Sequence, residues 1–260
     1  MTWIRKLGLM QAFDRFYFFW NRIRFSGRNK KFLKENPDIQ LPPDYMLYEA
    51  FRLNYQSYFE DGRDTAYWIV ELFSEFTMVT GKDILEWGCG PARIIRHLPS
   101  IISGGHIYGS DYNVETIEWC REHISDVEFS INGLNPPLDY TPDKFDLIYA
   151  LSVFTHLSAE SHFKWLDEIR RVMRNQGIFV FTTQGDAFEF KLTPTEKKTY
   201  GSGHLVERSN VKEGHRSYSA FQPLGFMEKM LGDEWKVLKF IPGSMQQWGP
   251  EQDTWIIQKR

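Results

Sequence analysis

The chain of 260 residues is 42% hydrophobic and 25% charged with a net charge of −3, which fits a folded globular protein and excludes a disordered or collagen-like one. Its two cysteines, Cys89 and Cys120, exclude a disulfide framework and a cysteine-built metal cage, and they predict a reducing, cytoplasmic setting with no metal. The charge is split: residues 1–34 carry nine basic side chains and only Asp14 as an acid, a net of +8 that leaves −11 for the remainder.

That basic arm, residues 1–40, is crowded with Trp3, Phe13, Phe16, Tyr17, Phe18, Phe19, Trp20 and Phe25. Arginines interrupt the apolar run after Trp20, the run is far short of the roughly 20 residues that span a bilayer, and no small-residue cleavage site follows. Neither a signal peptide nor a transmembrane helix is expected. A helix lying on an anionic membrane surface has this make-up. The same aromatics suit packing on a sheet or a partner subunit, and the sequence leaves both readings open, together with the oligomeric state. Prolines in Asn36-Pro37-Asp38 and Leu41-Pro42-Pro43-Asp44 predict a linker. From Tyr45 to Met78, within a region 41–80, the pattern is helical with a break at Asp61-Gly62.

Residues 81–260 carry the chemistry. Asp83-Ile84-Leu85-Glu86-Trp87-Gly88-Cys89-Gly90-Pro91-Ala92-Arg93 predicts a buried strand ending in a glycine turn that opens a helix with Ile94, Ile95 and Leu98 on its apolar face. Gly88 and Gly90 omit side chains where the backbone turns sharply and approaches a ligand. After Ser103-Gly104-Gly105, His106 to Ser110 predicts a second strand, and Asp111 at its carboxyl end stands about 23 residues after Gly88. That is close to the spacing of a carboxylate that accepts both ribose hydroxyls of a nucleoside cofactor. Glu86 ends the first strand just before the glycines and would repel a phosphate, which argues for a cationic ligand over a dinucleotide. Cys89 is expected to pack in the turn rather than act as a nucleophile.

At these residues Glu86-Trp-Gly88-Cys-Gly90-Pro-Ala92-Arg93 resembles the (Asp/Glu)-x-Gly-x-Gly-x-Gly signature of class I S-adenosylmethionine-dependent methyltransferases, with Ala92 in place of the third glycine. The resemblance continues through Asp111, Ile131-Asn132-Gly133-Leu134 and the run Phe145 to Leu157, and extends from about Leu41 to the C-terminus. It implies an α/β fold, a Rossmann-like seven-stranded sheet with helices on both faces, preceded by an N-terminal helical extension. It implies S-adenosylmethionine as cofactor, with Glu86 on its amino-acid portion, Asp111 on its ribose and Asn132 on its adenine. Gly88, Cys89, Gly90, Arg93, Tyr112, Gly133, Leu134, Leu151 and Ser152 complete that implied site. In relatives the region before the domain folds over the cofactor, so Tyr48, Tyr55, Tyr58 and Arg63 are candidates to line a cover; each aromatic also suits a core.

The remaining strands are expected at Val127 to Ile131, Phe145 to Ala150, Ile178 to Thr183, Trp235 to Ile241 and Thr254 to Gln258, the last two as an antiparallel edge hairpin. Ser158 should cap a helix running through Met173, closed by Gly177. A polar segment at about 184–232 has the composition of a mobile substrate cover. Two short patterns are set aside. Asn135-Pro136-Pro137-Leu138 precedes the fourth strand, where an amino-group methylation motif would have to follow it. In Tyr140-x-x-x-Lys144, Pro142 keeps the pair off one helical face. A base for a hydroxyl acceptor is best supplied by histidine, and His156, after the fourth strand, and His215, in the cover, are the candidates; His204 also lies there.

The expected function is methyl transfer by in-line displacement to a small-molecule or carrier- or lipid-linked acceptor, through a hydroxyl or an amine, with no nucleic-acid partner. The alternative is a non-catalytic S-adenosylmethionine-binding partner or scaffold subunit, for which Ala92 and the lack of a certain base are the openings.

Overall fold

The computed structural model describes residues 10–208, 211, 213–215 and 217–260, with side chains from Arg15 onward. Trp3, Arg5, Lys6 and the ring of Phe13, all part of the expected arm, lie outside the described residues. The chain divides into two compact units, 1–65 and 66–260.

In the first unit, α1 (Met10–Glu35) is followed by α2 (Asp44–Ala50) and by the beginning of α3 (Tyr55–Ser74). Pro37 and the pair Pro42-Pro43 separate α1 from α2, as the lack of proline N–H donors requires. Phe18, Asn21, Phe25, Asn29 and Phe32 recur every three or four residues and are the buried or half-buried face of α1. Phe18 meets Tyr48 at 5.3 Å between ring centroids, and Phe32 meets Phe59 at 6.2 Å. The buried Asn29 amide is paired on both sides, donating to Leu53 O at 3.3 Å and accepting from Tyr55 N at 3.1 Å. Tyr48 and Tyr58 are core residues here, and Tyr55 donates its hydroxyl to Asp44 at 2.5 Å. The expected break at Asp61-Gly62 falls instead at residues 51–54. Gly62 is buried inside α3, and Asn54 starts that helix by exchanging hydrogen bonds with Ser57.

The second unit holds β1 (Ile84–Trp87), β2 (Ile107–Asp111), β3 (Glu128–Ile131), β4 (Phe145–Ala150) and β5 (Met173–Thr183). Two short pairs, β6 (Val206–Arg208) with β7 (Ser219–Phe221) and β9 (Met245–Gln246) with β10 (Gly249–Pro250), stand outside the main sheet. With β8 (Trp235–Ile241) and β11 (Asp253–Lys259), the seven-stranded sheet has the order β3-β2-β1-β4-β5-β11-β8. Strands β1 to β5 pair in parallel, while β11 is antiparallel to both β5 and β8, the edge arrangement expected from the sequence. Every residue of β1 is buried, as a central parallel strand covered on both faces must be. Leu85 and Trp87 join Trp165, Leu166 and Ile169 of α6 and Phe226 and Met227 of α8 in the main core; α4 to α8 are Leu98–Ile101, Val114–His123, Ala159–Val172, Pro194–Gly201 and Leu224–Leu231.

Three local expectations are corrected. The glycine turn opens no full helix: residues 95–97 form a single 3₁₀ turn before the four-residue α4, because Pro91 lacks an N–H and Ala92 is left-handed at φ +58°. Ile94, Ile95 and Leu98 are nevertheless buried. Helix α6 is capped by Ser158 as expected but stops at Val172, and β5 begins at once, with Gly177 in a bulge of the strand rather than at a helix end. The segment 184–232 is not structureless: it has its own small core of Phe188, Leu192, Tyr200, Val206 and Phe221, and its last helix, α8, belongs to the main core.

Gly81 (φ +76°) and Gly105 (φ +75°) flank the approach to β1 and β2 with the same backbone conformation but different surroundings. A Cβ on Gly81 meets nothing within 4 Å, whereas one on Gly105 would sit 2.1 Å from the carbonyl oxygen of Lys82. Gly81→Ala should therefore cost only the left-handed penalty of ~1–2 kcal/mol, and Gly105→Ala distinctly more, because backbone cannot swing aside. Urea unfolding of both variants tests this; equal losses would refute the close approach.

Candidate functional site

The carboxyl ends of β1 to β4 gather most of the residues singled out from the sequence. Gly88 (φ +79°), Gly90 (φ +50°) and Ala92 (φ +58°) all adopt left-handed backbone, so the alanine keeps the glycine-type conformation at a strain cost. A Cβ on Gly88 would lie 2.4 Å from a Val153 methyl, so the turn must approach the loop after β4 without a side chain.

Two acids hold this turn. Glu86 Oε2 accepts from Ile95 N at 3.1 Å and from the Tyr149 hydroxyl at 2.9 Å. Burial pushes its carboxyl up to about 8, against the lowering effects of the Tyr149 bond and the Arg93 charge. Desolvation in this buried position favours the neutral form of the Glu86 carboxyl. Arg93 acts on Glu86 electrostatically. Asp111, also buried, accepts from Gly90 N through Oδ2 and from Asn113 N through Oδ1, each at 2.9 Å. Burial raises its pKa and these backbone donors oppose the rise. The Cys89 thiol is buried and its pKa pushed well up by burial, the state of a packing residue rather than a nucleophile.

Beside Asp111 stands Asn132, whose backbone N donates to Asp111 O at 3.0 Å and whose side-chain oxygen accepts from Ser110 Oγ at 2.5 Å. Its amide nitrogen donates to Gly133 O at 2.7 Å. Leu134 O accepts from the Trp165 indole at 3.0 Å. At the end of β4, Leu151 is half-buried and Ser152 is left-handed at φ +65°. Ser152 donates its N to Thr182 Oγ1 at 2.8 Å and accepts from the Gln252 amide at 2.6 Å.

The described residues 213–215, 217 and 218 meet this end of the sheet. Tyr112 donates its hydroxyl to Gly214 O at 3.1 Å, Gly214 N donates to His156 O at 2.9 Å, and a Cβ on Gly214 would lie 2.6 Å from a Leu134 methyl. His156 pairs its Nδ1 with Tyr218 O at 2.8 Å. Since a carbonyl only accepts, Nδ1 carries the proton and Nε2 keeps a lone pair. Burial lowers the His156 pKa, the Tyr218 bond opposes this, and the nearby His215 charge lowers it further. His215 is exposed and pairs Nδ1 with Ser217 Oγ at 2.7 Å. The two candidate histidines are thus neighbours, while His204 lies apart on Ser202. Among the described residues no cluster of three or more His, Cys, Asp or Glu side chains could hold a metal.

Sequence reasoning missed what anchors residues 213–215, 217 and 218. Gln222, buried, accepts from Gln184 N at 2.9 Å and donates to Phe154 O and to His162 Nε2, both at 3.1 Å. His162 in turn pairs Nδ1 with Ser158 O at 2.7 Å, and burial lowers it to about 4, so it is a neutral structural group. Glu213 Oε1 accepts from Ser158 N at 2.6 Å, placing a carboxylate on the first turn of α6. Gln184 and Gln222 are 38 residues apart, and no local pattern marks such a pair.

Residues 84–177 match the family model described as a methyltransferase domain. The fold resembles that of a solved S-adenosylmethionine-dependent methyltransferase from Methanosarcina mazei, at 17% identity and a TM-score of 0.55, covering 72% of this chain and 96% of that one. It also resembles magnesium protoporphyrin IX methyltransferase from Synechocystis, solved with S-adenosylhomocysteine, at 14% identity and a TM-score of 0.55 over 81% and 90% of the two chains. A Pyrococcus horikoshii protein matches with a TM-score of 0.56 and 14% identity over 79% and 96%.

Glu86 generates a pH prediction. Its folded pKa of about 8 lies above the ordinary 4.5, so folding favours the protonated carboxyl. This contribution is fully present below pH 4.5, is lost as pH rises toward 8, and changes no further above that. Glu86→Gln, which cannot ionise, should flatten the fall in urea-measured stability between pH 5 and pH 8. Parallel curves for variant and parent would mean that Glu86 is ionised in the fold.

Proposed function

We propose that this chain, whose residues 84–177 match the methyltransferase-domain model and whose fold is that of solved S-adenosylmethionine-dependent methyltransferases, is a class I S-adenosylmethionine-dependent methyltransferase that methylates a hydroxyl or an amine on a small-molecule or carrier- or lipid-linked acceptor. The observation that carries this reading is the pairing, at one end of the sheet, of the buried carboxyl of Asp111 and a histidine, His156, whose Nδ1 is held by Tyr218 O so that Nε2 keeps its lone pair. Asp111 receives backbone N–H groups from Gly90, Asn113 and Tyr112. A carboxylate has about four lone-pair sites, so capacity remains for a ribose hydroxyl. Asn132 stands next to it for the adenine edge.

The bound cofactor supplies a methyl group already activated on a sulfonium sulfur. What the protein adds is chiefly position, for which oriented reactants give up to ~7 to 11 kcal/mol. With a hydroxyl acceptor, the new O–C bond forms as the S–C bond breaks, and the hydroxyl proton passes to Nε2 of His156. A lowered pKa keeps that nitrogen unprotonated at neutral pH. His215, exposed and adjacent, is placed to meet the acceptor or relay the proton outward. Of the two grounds for the non-catalytic reading, Ala92 and the lack of a certain base, the first loses weight because Ala92 holds the left-handed geometry of the glycine it replaces.

Titration calorimetry should give tight binding of S-adenosylmethionine and none of NAD. Asp111→Ala should weaken the former at least tenfold, since each charge-assisted bond counts for ~1.5 to 3 kcal/mol; a change within twofold in a folded variant would overturn the ribose role. Methyl-labelled cofactor, incubated with metabolite and lipid fractions, should label one acceptor class. His156→Gln should then lower kcat by ~10²-fold or more with cofactor affinity unchanged. An unaltered kcat would remove His156 as the base.

A further inference from the structure

Helix α1 has two apolar faces, and only one of them is used within its own unit. Phe18, Asn21, Phe25, Asn29 and Phe32 form the inward face. On the opposite side Phe16, Phe19, Trp20 and Ile23 fall within an arc of about 100° at 3.6 residues per turn, and they are 66%, 57%, 54% and 73% exposed. Gly27, Lys30, Lys31 and Lys34, all exposed, continue the same arc toward the C-terminal end. Between Arg15 and Lys34 the helix carries seven basic side chains and no acidic one. Arg22 pairs with Asp44 and Lys31 with Glu35. No helix among the described residues is long and apolar enough to cross a membrane.

We propose that this outward stripe docks on an anionic lipid surface, with the aromatics and Ile23 in the headgroup–acyl boundary and the lysines on the headgroups. Aromatic side chains exposed over two turns are costly in water, and Trp with Tyr17 at its flank is the pairing favoured where one end of a ring is apolar and the other wet. A run of lysines on the same arc complements negative lipid charge. A second copy of this basic helix would instead bring like charges together. The proposal does not depend on methyl transfer, so it can fail while that reading stands.

The test is cosedimentation of the full chain with vesicles of phosphatidylglycerol and phosphatidylcholine. The chain should pellet with mixed vesicles at low salt, release at high salt, and stay in solution with phosphatidylcholine alone. The triple variant Phe16→Ser, Trp20→Ser, Ile23→Ser and the separate triple Lys30→Gln, Lys31→Gln, Lys34→Gln should each reduce partitioning at least tenfold. The lysine variant changes only exposed positions, so it reports even if the apolar variant misfolds, and retained S-adenosylmethionine binding checks the catalytic unit of each. Failure of the parent chain to pellet, or equal pelleting by parent and lysine variant, would overturn the proposal. So would a dimer in the absence of vesicles that the apolar variant disperses, since the stripe would then be a subunit interface.

Discussion

The site depends on two buried carboxyl groups that take up backbone N–H groups of one glycine turn. In the turn built from Gly88, Gly90, Pro91 and left-handed Ala92, only Ala92 N bonds within the turn, to Cys89 O at 3.0 Å, while Gly88 N and Cys89 N go to Ser110 O, and a buried donor without a partner costs ~1–3 kcal/mol. Asp111 receives Gly90 N from β2, and Glu86 receives Ile95 N where the turn ends. Desolvation raises both acids, so each is tolerable only because it is hydrogen-bonded in place. The turn and its acids therefore require one another. Tyr149 extends the arrangement into β4 by donating to the same oxygen of Glu86, which ties the tips of three adjacent strands to a single loop.

Legibility in the sequence followed the range of the interactions. The Asp83–Arg93 turn, Asp111, the strands at 84–87, 107–111 and 145–150 and the Ser158 cap were readable because each is specified within a few residues, by glycines, periodicity or a capping side chain. The Asp61-Gly62 break was misplaced because glycine is only a weak helix breaker, costing about 1 kcal/mol, and a buried site on α3 accepts it. Gly177 misled for a related reason: a glycine after a helix ordinarily marks a C-cap, but here its missing side chain admits Met173 and Arg174 O into a β-bulge. The raised proton affinity of Glu86 was illegible because it depends on burial, and no motif reports that.

The two faces of α1 illustrate the same limit. Apolar residues spread around a helix look unpatterned along the sequence, and two opposed stripes cancel in any single-face reading. Only the packing of Phe18 on Tyr48 and of Asn29 on Leu53 and Tyr55 separates the inward stripe from the outward one.

The acceptor side was illegible because its walls come from distant parts of the chain. Ser152 is met by Gln252, and His156 by Tyr218. These contacts also impose an order on the site. Tyr218 O fixes the tautomer of His156, Gly214 N binds the carbonyl of His156, and Tyr112 binds Gly214 O beside Asp111. The lone pair of His156 Nε2 is thus turned by the same contacts that seat this segment. The glutamine anchor at Gln222 and the Glu213 contact to α6 are what hold it there. Under the proposed function, the orientation of His156 and the seating of this segment are consequently one structural condition.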